Sequence, residues 1–474
     1  MNRLKTLFTS EQDASTAKIA LWYTISNLFV SGLGFLTTPI FSRVLSKDEL
    51  GQFSNFTSWE SILTVALSLN LVASIARAKY DHRKDMDSYV FSILCLSDAV
   101  ALLAYFGAET FPLFFKKTLS MDMQYVRLLF LDILVWPAFQ YLQTQHRVFQ
   151  KYKFCVALSI SSAIFRVGAA LILIRVMNDR LYGRTLGYVV PFAVMNLVIW
   201  VMIAQKGKVI RFSHMKYACL IAVPLILHAL SGRLLTSADK IMIEHICSSE
   251  KVALYTIPYT VSSAASIIWL AMNQAWAPWL FDQMDANETQ EIRGRSKWYI
   301  GIFAVLIMGV FLVSPEVLLI MGGRQYEEAM GCMPPIILAC AYQFIYSMYV
   351  NIEVFTKHTI QISVATCVAA VFNLIANAVF IPKYGYQAAA YTTAAGYLLL
   401  LVIHFILVRV RGQFTEIYDT RFIFATTAVL TALAFFMTEL YDHTLIRYGF
   451  LLFYVVFLII WGIRNKKRLK NLLH

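Results

Sequence analysis

The sequence predicts an all-α polytopic membrane protein: about fourteen transmembrane helices, arranged as two pseudo-symmetric six-helix lobes plus two extra C-terminal helices. Three observations lead there. Of 474 residues, 59% are apolar and 15% charged, against about 25% charged in a soluble domain. The mean hydropathy is +0.62. The apolar residues gather into fourteen runs, each within the range of about 17–25 residues that a spanning helix needs. The loops left over average roughly 13 residues once the spans are subtracted, too short for a folded extramembrane domain. A cytosolic enzyme, a disordered chain and a fibre are excluded.

In order, the runs are as follows. The first covers 19–41 and reaches Pro39. The second, 53–76, carries Glu60 and Asn70, and the third, 89–107, carries Asp98. The fourth, 125–145, holds Arg127, Asp132 and Pro137; the fifth, 154–175, holds Arg166. The sixth and seventh span 186–203 and 217–235, the seventh interrupted near its end by Gly232, Arg233 and Thr236. The next five lie at 253–276, 298–314, 333–351, 360–381 and 388–408. The last two, 422–438 and 445–463, complete the set.

Orientation follows from the cations outside the spans. The net charge is +13, and cytoplasmic loops are the ones that accumulate Lys and Arg. With both termini on one side, and with cations at span ends counted with the adjoining loop, that side collects 26 Lys and Arg against 13 on the other. Both termini are therefore expected in the cytoplasm, which an even span count requires. Residues 1–18 lack a signal-peptide core and read as a cytoplasmic tail. The tail RNKKRLKNLLH, 464–474, reads as a stop-transfer anchor or as a binder of anionic head groups. Seven scattered cysteines without a C-x-x-C pair indicate neither a disulfide framework nor a zinc site.

An internal repeat sets the expected domains. RVLSKDELGQF (43–53) and HICSSEKVALY (245–255) match at an offset of 202 residues, and Gly183 matches Gly385 at the same offset. The expectation is a first lobe at 1–204, a second at 205–408, and two appended helices with a basic tail at 409–474. Six spans per half is even, so the lobes would be related by an axis along the membrane normal.

No Walker A, H-E-x-x-H or G-x-S-x-G motif occurs. The outer loops are short for a sugar-polymerising site. Transport is expected, with no catalytic residue and no cofactor, and with proton or sodium coupling left open. Ionisable groups inside spans are costly and mark a cavity or a partner. Glu60, Asp98, Asp132 and Arg166 lie in spans two to five. At 1.5 Å per residue Arg166 is roughly 20 Å deep from one face and Asp132 roughly 10 Å from the other, so in a core of about 30 Å they meet at one level. Glu60 shares that level, while Asp98 and His228 lie nearer the midplane. Two readings of Arg166 stand: a structural pair with Asp132, or a guanidinium fork that attracts phosphate oxygens. Asp98 and Glu60 read as helix-packing acceptors or as an ion relay, and His228 as an interior histidine or a switch. Arg233, Asp239 and Lys240 form a second candidate cluster, with interfacial snorkelling as the plain alternative. The amides Asn27, Asn70, Asn196, Asn273, Gln274, Gln343, Asn373 and Asn377 read as interhelical glue. Pro39, Pro137, Pro191, Pro224 and Pro258 read as bends, and Trp136, Trp269, Trp276, Trp279 and Trp298 as an interfacial belt.

Three segments carry a resemblance. TTPIFSRVLSKDELGQF (37–53) resembles the start of oligosaccharide-lipid flippases of the polysaccharide transporter family, through Pro39, Arg43, Leu45, Ser46, Glu49, Gly51 and Phe53. Leu50 stands where that family has an aromatic residue. FIPKYGYQAAAYTT (380–393) resembles the family's turn between spans eleven and twelve, through Pro382, Gly385, Ala389 and Ala390, with Ala388 in place of a common glycine. SADKIMI (237–243) resembles its acidic signature, which falls on Asp239. The superfamily also holds multidrug and toxic-compound exporters and the lipid II flippase. The resemblance implies a two-lobed, alternating-access flippase of the bacterial inner membrane, carrying undecaprenyl-pyrophosphate-linked oligosaccharide for O-antigen, capsule or exopolysaccharide. It implies a cationic central cavity, which gives Arg166 a rationale, and a polysaccharide polymerase and chain-length machinery as partners beside the membrane lipids. A cation-coupled drug exporter, or a membrane polymerase or ligase, are the competing readings.

Overall fold

A computed structural model describes residues 16–412 and 414–472, with side chains over 22–412 and 414–465. Residues 1–15 of the expected tail 1–18, and the side chains of 466–474 in the basic C-terminal tail, lie outside the described residues. Every regular element among them is helical. In chain order these are α1 (Thr16–Val44), α2 (Lys47–Leu67), a 3-10 turn (Leu71–Ser74), α3 (Ile75–Asp81), α4 (Met86–Thr110), α5 (Pro112–Leu119), α6 (Met123–Val148), α7 (Tyr152–Val176) and α8 (Arg180–Gly207). They continue as α9 (Phe212–Ile246), α10 (Ser249–Asp285), α11 (Thr289–Gly322), a 3-10 segment (Arg324–Cys332), α12 (Met333–Phe355), α13 (Thr359–Tyr384), α14 (Gln387–Arg411), α15 (Thr420–Leu440) and α16 (Thr444–Leu472). Thirteen helices are long and apolar enough to cross a membrane, and fourteen spans result if the bent pair of α2 with 71–81 counts as one. The interrupted run at 217–235 is one unbroken 35-residue helix, α9. A buried side of the helix outweighs the local cost of Gly232 and Arg233.

The segment 43–53 is a helix start. Ser46 Oγ accepts from the Glu49 amide at 3.1 Å, and Glu49 Oε2 accepts from the Ser46 amide at 2.7 Å. That reciprocal box satisfies two otherwise orphaned donors at the N-terminus of α2. Leu45, Leu50 and Phe53 are buried beside it. Gly51 is there because of a close approach: a Cβ on it would lie 1.7 Å from the Ser249 carbonyl oxygen.

The second run is broken. Leu69 and Asn70 both have φ of 50°, and the chain bends by 52° between α2 and 71–81. Asn70 is thus the hinge of the break and makes no side-chain cap there. The bend is driven by burial. It turns Leu71, Ile75 and Ala78 into a core with Met86, Tyr89, Ile93 and Tyr141. A break in a spanning helix frees carbonyls that lipid cannot satisfy. Here the Ser68 carbonyl accepts from Ser97 Oγ at 3.3 Å and from the Tyr141 hydroxyl at 3.4 Å.

The chain divides into two compact units, 1–256 with 366–386, and 257–365 with 387–474. In the first, α7 and α8 pack most extensively. Gly183 and Gly187, four residues apart on α8, make this contact: Cβ atoms there would lie 2.8 Å from the Leu173 carbonyl and 2.5 Å from the Ala170 backbone. Small residues at that spacing let helix backbones approach in a membrane. In the second unit α12 is the most buried span. Tyr342 hydrogen-bonds Thr431 at 2.7 Å, Asn351 donates to Asn273 at 2.8 Å, and Phe303 stacks on Phe344. Trp276 is buried against Tyr299 and Trp279, and Trp136 packs on Phe192.

Candidate translocation site

The close α7–α8 contact brings the middle of α7 against the face of α8 that carries residues 184, 188 and 192. Arg166 is 8% exposed. Its Nη2 donates to Asp132 Oδ1 on α6 at 2.9 Å, and its Nη1 lies 3.9 Å from Glu60 Oε1 on α2. The Tyr188 hydroxyl donates to both Glu60 oxygens, at 3.3 and 3.1 Å. The guanidinium carbon lies 3.7 Å from the Phe192 ring centre, 4.0 Å from Tyr188 and 5.6 Å from Trp136. Three charged groups from α2, α6 and α7 therefore share one enclosure walled by aromatic rings. Desolvated cation–ring contacts are worth about 2 kcal/mol, which offsets part of the cost of burial. The second oxygen of Asp132 has no hydrogen-bond partner, so the acceptor capacity around Arg166 is not used up.

The remaining residues expected at the site sit elsewhere. Asp98 on α4 is half-buried and accepts from Trp200 Nε1 at 2.8 Å. His228 is half-buried on α9, and its Nδ1 has no partner. Asp239 is buried; its oxygens accept from Asn377 at 2.7 Å and from the Tyr255 hydroxyl at 2.7 Å, and Asn377 also donates to Asn373 at 3.1 Å. Arg233 is exposed and Lys240 half-buried on the same helix. Asp239 faces α10 and α13, and Lys240 next to it stays within its electrostatic reach; Arg233 lies on another side of the helix, because six residues along a helix do not share a face.

Some charged groups were not anticipated. Arg184 lies one turn before Tyr188, its guanidinium carbon 3.3 Å from the Phe41 ring centre and 4.0 Å from Phe53. It pairs with no carboxylate among the described residues, and its Nε has no hydrogen-bond partner. The spacing Arg184, Tyr188, Phe192 places all three on one helix face and was the available signal. In the second unit Glu353 Oε2 meets His404 Nδ1 at 2.8 Å, both buried. Glu316 pairs with Arg447, whose Nη1 also donates to the Leu312 carbonyl at 2.7 Å.

The comparisons agree with this architecture. The family model for polysaccharide biosynthesis proteins matches residues 16–284. A Haemophilus influenzae protein named for the Lsg locus is 22% identical over 333 residues, covering 65% of this chain and 77% of that one. Among solved structures, the lipid II flippase MurJ in an inward closed conformation aligns with a TM-score of 0.69 at 13% identity, over 95% of this chain and 100% of MurJ. An inward-facing multidrug resistance MATE family transporter of the MOP superfamily aligns with a TM-score of 0.59 at 14% identity, over 83% and 94%. Matched by that model over more than half its length, the chain belongs to the polysaccharide biosynthesis protein family and has the helical fold of MOP-superfamily transporters.

Proposed function

We propose that the protein flips oligosaccharide repeat units, linked to undecaprenyl pyrophosphate, across the bacterial inner membrane by alternating access. The reading is carried by one observation: a guanidinium in the middle of a spanning helix, held by two carboxylates. Such a group is costly in a membrane and is retained where it serves a pathway. The family match and the likeness to MurJ support a lipid-linked cargo. In this account Arg166 binds the carrier's pyrophosphate through its planar fork. Asp132 and Glu60 neutralise it in the empty state and compete when cargo arrives. Arg184, which has no carboxylate to displace, contributes a second anion contact on the same face of α8. The protein is a transporter and not an enzyme, with both termini cytoplasmic, and it hands its cargo to a polymerase and chain-length machinery. Its coupling ion is a proton or sodium, with the Glu353–His404 pair as the group to probe first.

The test is complementation of a strain lacking the gene. Glu60→Gln, Asp132→Asn and Arg166→Gln together remove all three charges; the two carboxamides keep the shapes of the carboxylates, and the shorter Gln leaves a polar, uncharged head in place of the guanidinium. This variant is expected in the membrane at wild-type level without glycan export, and Arg166→Lys alone should export only partly. Wild-type export by the triple variant would reduce Arg166 to a packing residue.

A further inference from the structure

Away from the translocation site, the start of α9 meets the connection between α3 and α4. His82 follows α3, Asp85 precedes α4, and His214 lies in the first turn of α9. Asp85 Oδ1 is 3.7 Å from His82 Nδ1, and Asp85 Oδ2 is 2.9 Å from His214 Nε2. One donor atom from each residue falls within a common 4.8 Å. The two imidazoles are in edge contact, with ring centres 4.8 Å apart. Tyr89 stacks on His82 at 5.3 Å, and Tyr217 meets it edge-on at 4.8 Å, so the rings are already oriented. His214 is buried, whereas His82 and Asp85 are about a quarter exposed, at 23% and 27%.

We propose that His82, Asp85 and His214 form a binding site for a divalent transition metal of the zinc class. Two imidazoles and a carboxylate are borderline-soft donors that suit zinc, and three protein ligands leave a fourth, water-accessible position. A tetrahedral ion about 2.0–2.1 Å from each donor needs donor separations of roughly 3.3 Å, so side-chain shifts of about 1 Å close the site. Arg211 Nη1 donates to Asp85 Oδ2 at 2.8 Å. With Oδ1 on the metal, Arg211 keeps the other oxygen and fixes the carboxylate's orientation, as supporting partners of ligands do. The bound ion ties the 82–85 connection to the first turn of α9. Nothing in this arrangement depends on the cargo, so it stands or falls apart from the flippase reading.

The experiment uses the full chain, purified in detergent with a histidine-free affinity tag and stripped with chelator. Zinc titrated by calorimetry should bind at one equivalent per chain. Arg211→Gln should weaken binding by about 10–100-fold, and His82→Ala or His214→Ala by more than that. Each variant's metal-free melting temperature, compared with wild type, separates lost ligation from lost fold. His82→Cys keeps three ligands and should bind cadmium with a thiolate-to-metal absorption band. No saturable zinc equivalent in the wild type, an unchanged one in the His82→Ala, His214→Ala double variant, or no cadmium band in folded His82→Cys would each overturn the proposal.

Discussion

Removing Arg166 should cost more stability than removing either carboxylate, because the cation has two partners and each carboxylate shares one. Consider Arg166→Gln against Asp132→Asn. With an effective dielectric constant near 20, a unit pair at the 2.9 Å of Arg166–Asp132 attracts by about 6 kcal/mol and one at the 3.9 Å of Arg166–Glu60 by about 4 kcal/mol. Asp132→Asn therefore leaves Arg166 with a second counter-ion worth roughly three quarters of the first, and an amide oxygen that can still accept. The expected loss is about 1–2 kcal/mol. Arg166→Gln instead leaves Asp132 and Glu60 buried together with no cation, and removing one partner of a buried pair costs about 3–5 kcal/mol. Adding Asp132→Asn to Arg166→Gln should recover about 1–3 kcal/mol, since Glu60 keeps the Tyr188 hydroxyl at 3.1 Å. Melting temperatures in detergent, followed by tryptophan fluorescence at one scan rate, rank the variants. Equal stability of the two single variants, or a double variant below Arg166→Gln, would refute the three-group arrangement.

Gly187→Ala puts a methyl group 2.5 Å from the Ala170 backbone; overpacking of this kind should cost about 1–3 kcal/mol, and an unchanged melting temperature would mean α7 and α8 are not held at that distance. Arg184→Met should leave stability unchanged or raised, since a half-buried cation without a carboxylate is a cost, while lowering glycan export by about tenfold or more, a loss of about 1.4 kcal/mol of binding; export at the wild-type rate would remove Arg184 from the pathway. Reporter fusions at residues 120 and 210 should report periplasm and cytoplasm respectively, as the 26-to-13 cation asymmetry requires; the same compartment for both would overturn the topology.

The spans were legible because hydropathy over about 20 residues is what a bilayer selects. The meeting of Arg166, Asp132 and Glu60 was legible for a related reason: each is an isolated charge in an apolar run, and helix rise converts sequence position into depth. What escaped lay at the ends of runs. Arg184, Glu316 and Glu353 were assigned to loops because a charge terminates an apolar window, yet α8, α11 and α12 extend past it, with Glu353 buried and Arg184 and Glu316 half-buried. The break at Leu69–Asn70 was invisible for the opposite reason, since the apolar pattern runs straight through it and only packing against Tyr89 and Tyr141 bends the chain. The family-like stretch at 43–53 carries the repeat and the resemblance through residues whose role in the fold is local. Its Ser46, Glu49 and Gly51 cap a helix and admit a neighbouring backbone.

The central claim is that this chain moves a lipid-linked oligosaccharide through a path that requires the Arg166 charge. The direct measurement reconstitutes the purified protein into proteoliposomes with an undecaprenyl-pyrophosphate-linked oligosaccharide in both leaflets. A membrane-impermeant glycosidase then reports how much of the sugar becomes accessible from outside. The account predicts that wild-type protein exposes the inner-leaflet pool well above the rate in empty liposomes, and that the Glu60→Gln, Asp132→Asn, Arg166→Gln variant does not. Wild-type protein that leaves the inner pool protected while extruding a small cationic dye would contradict it.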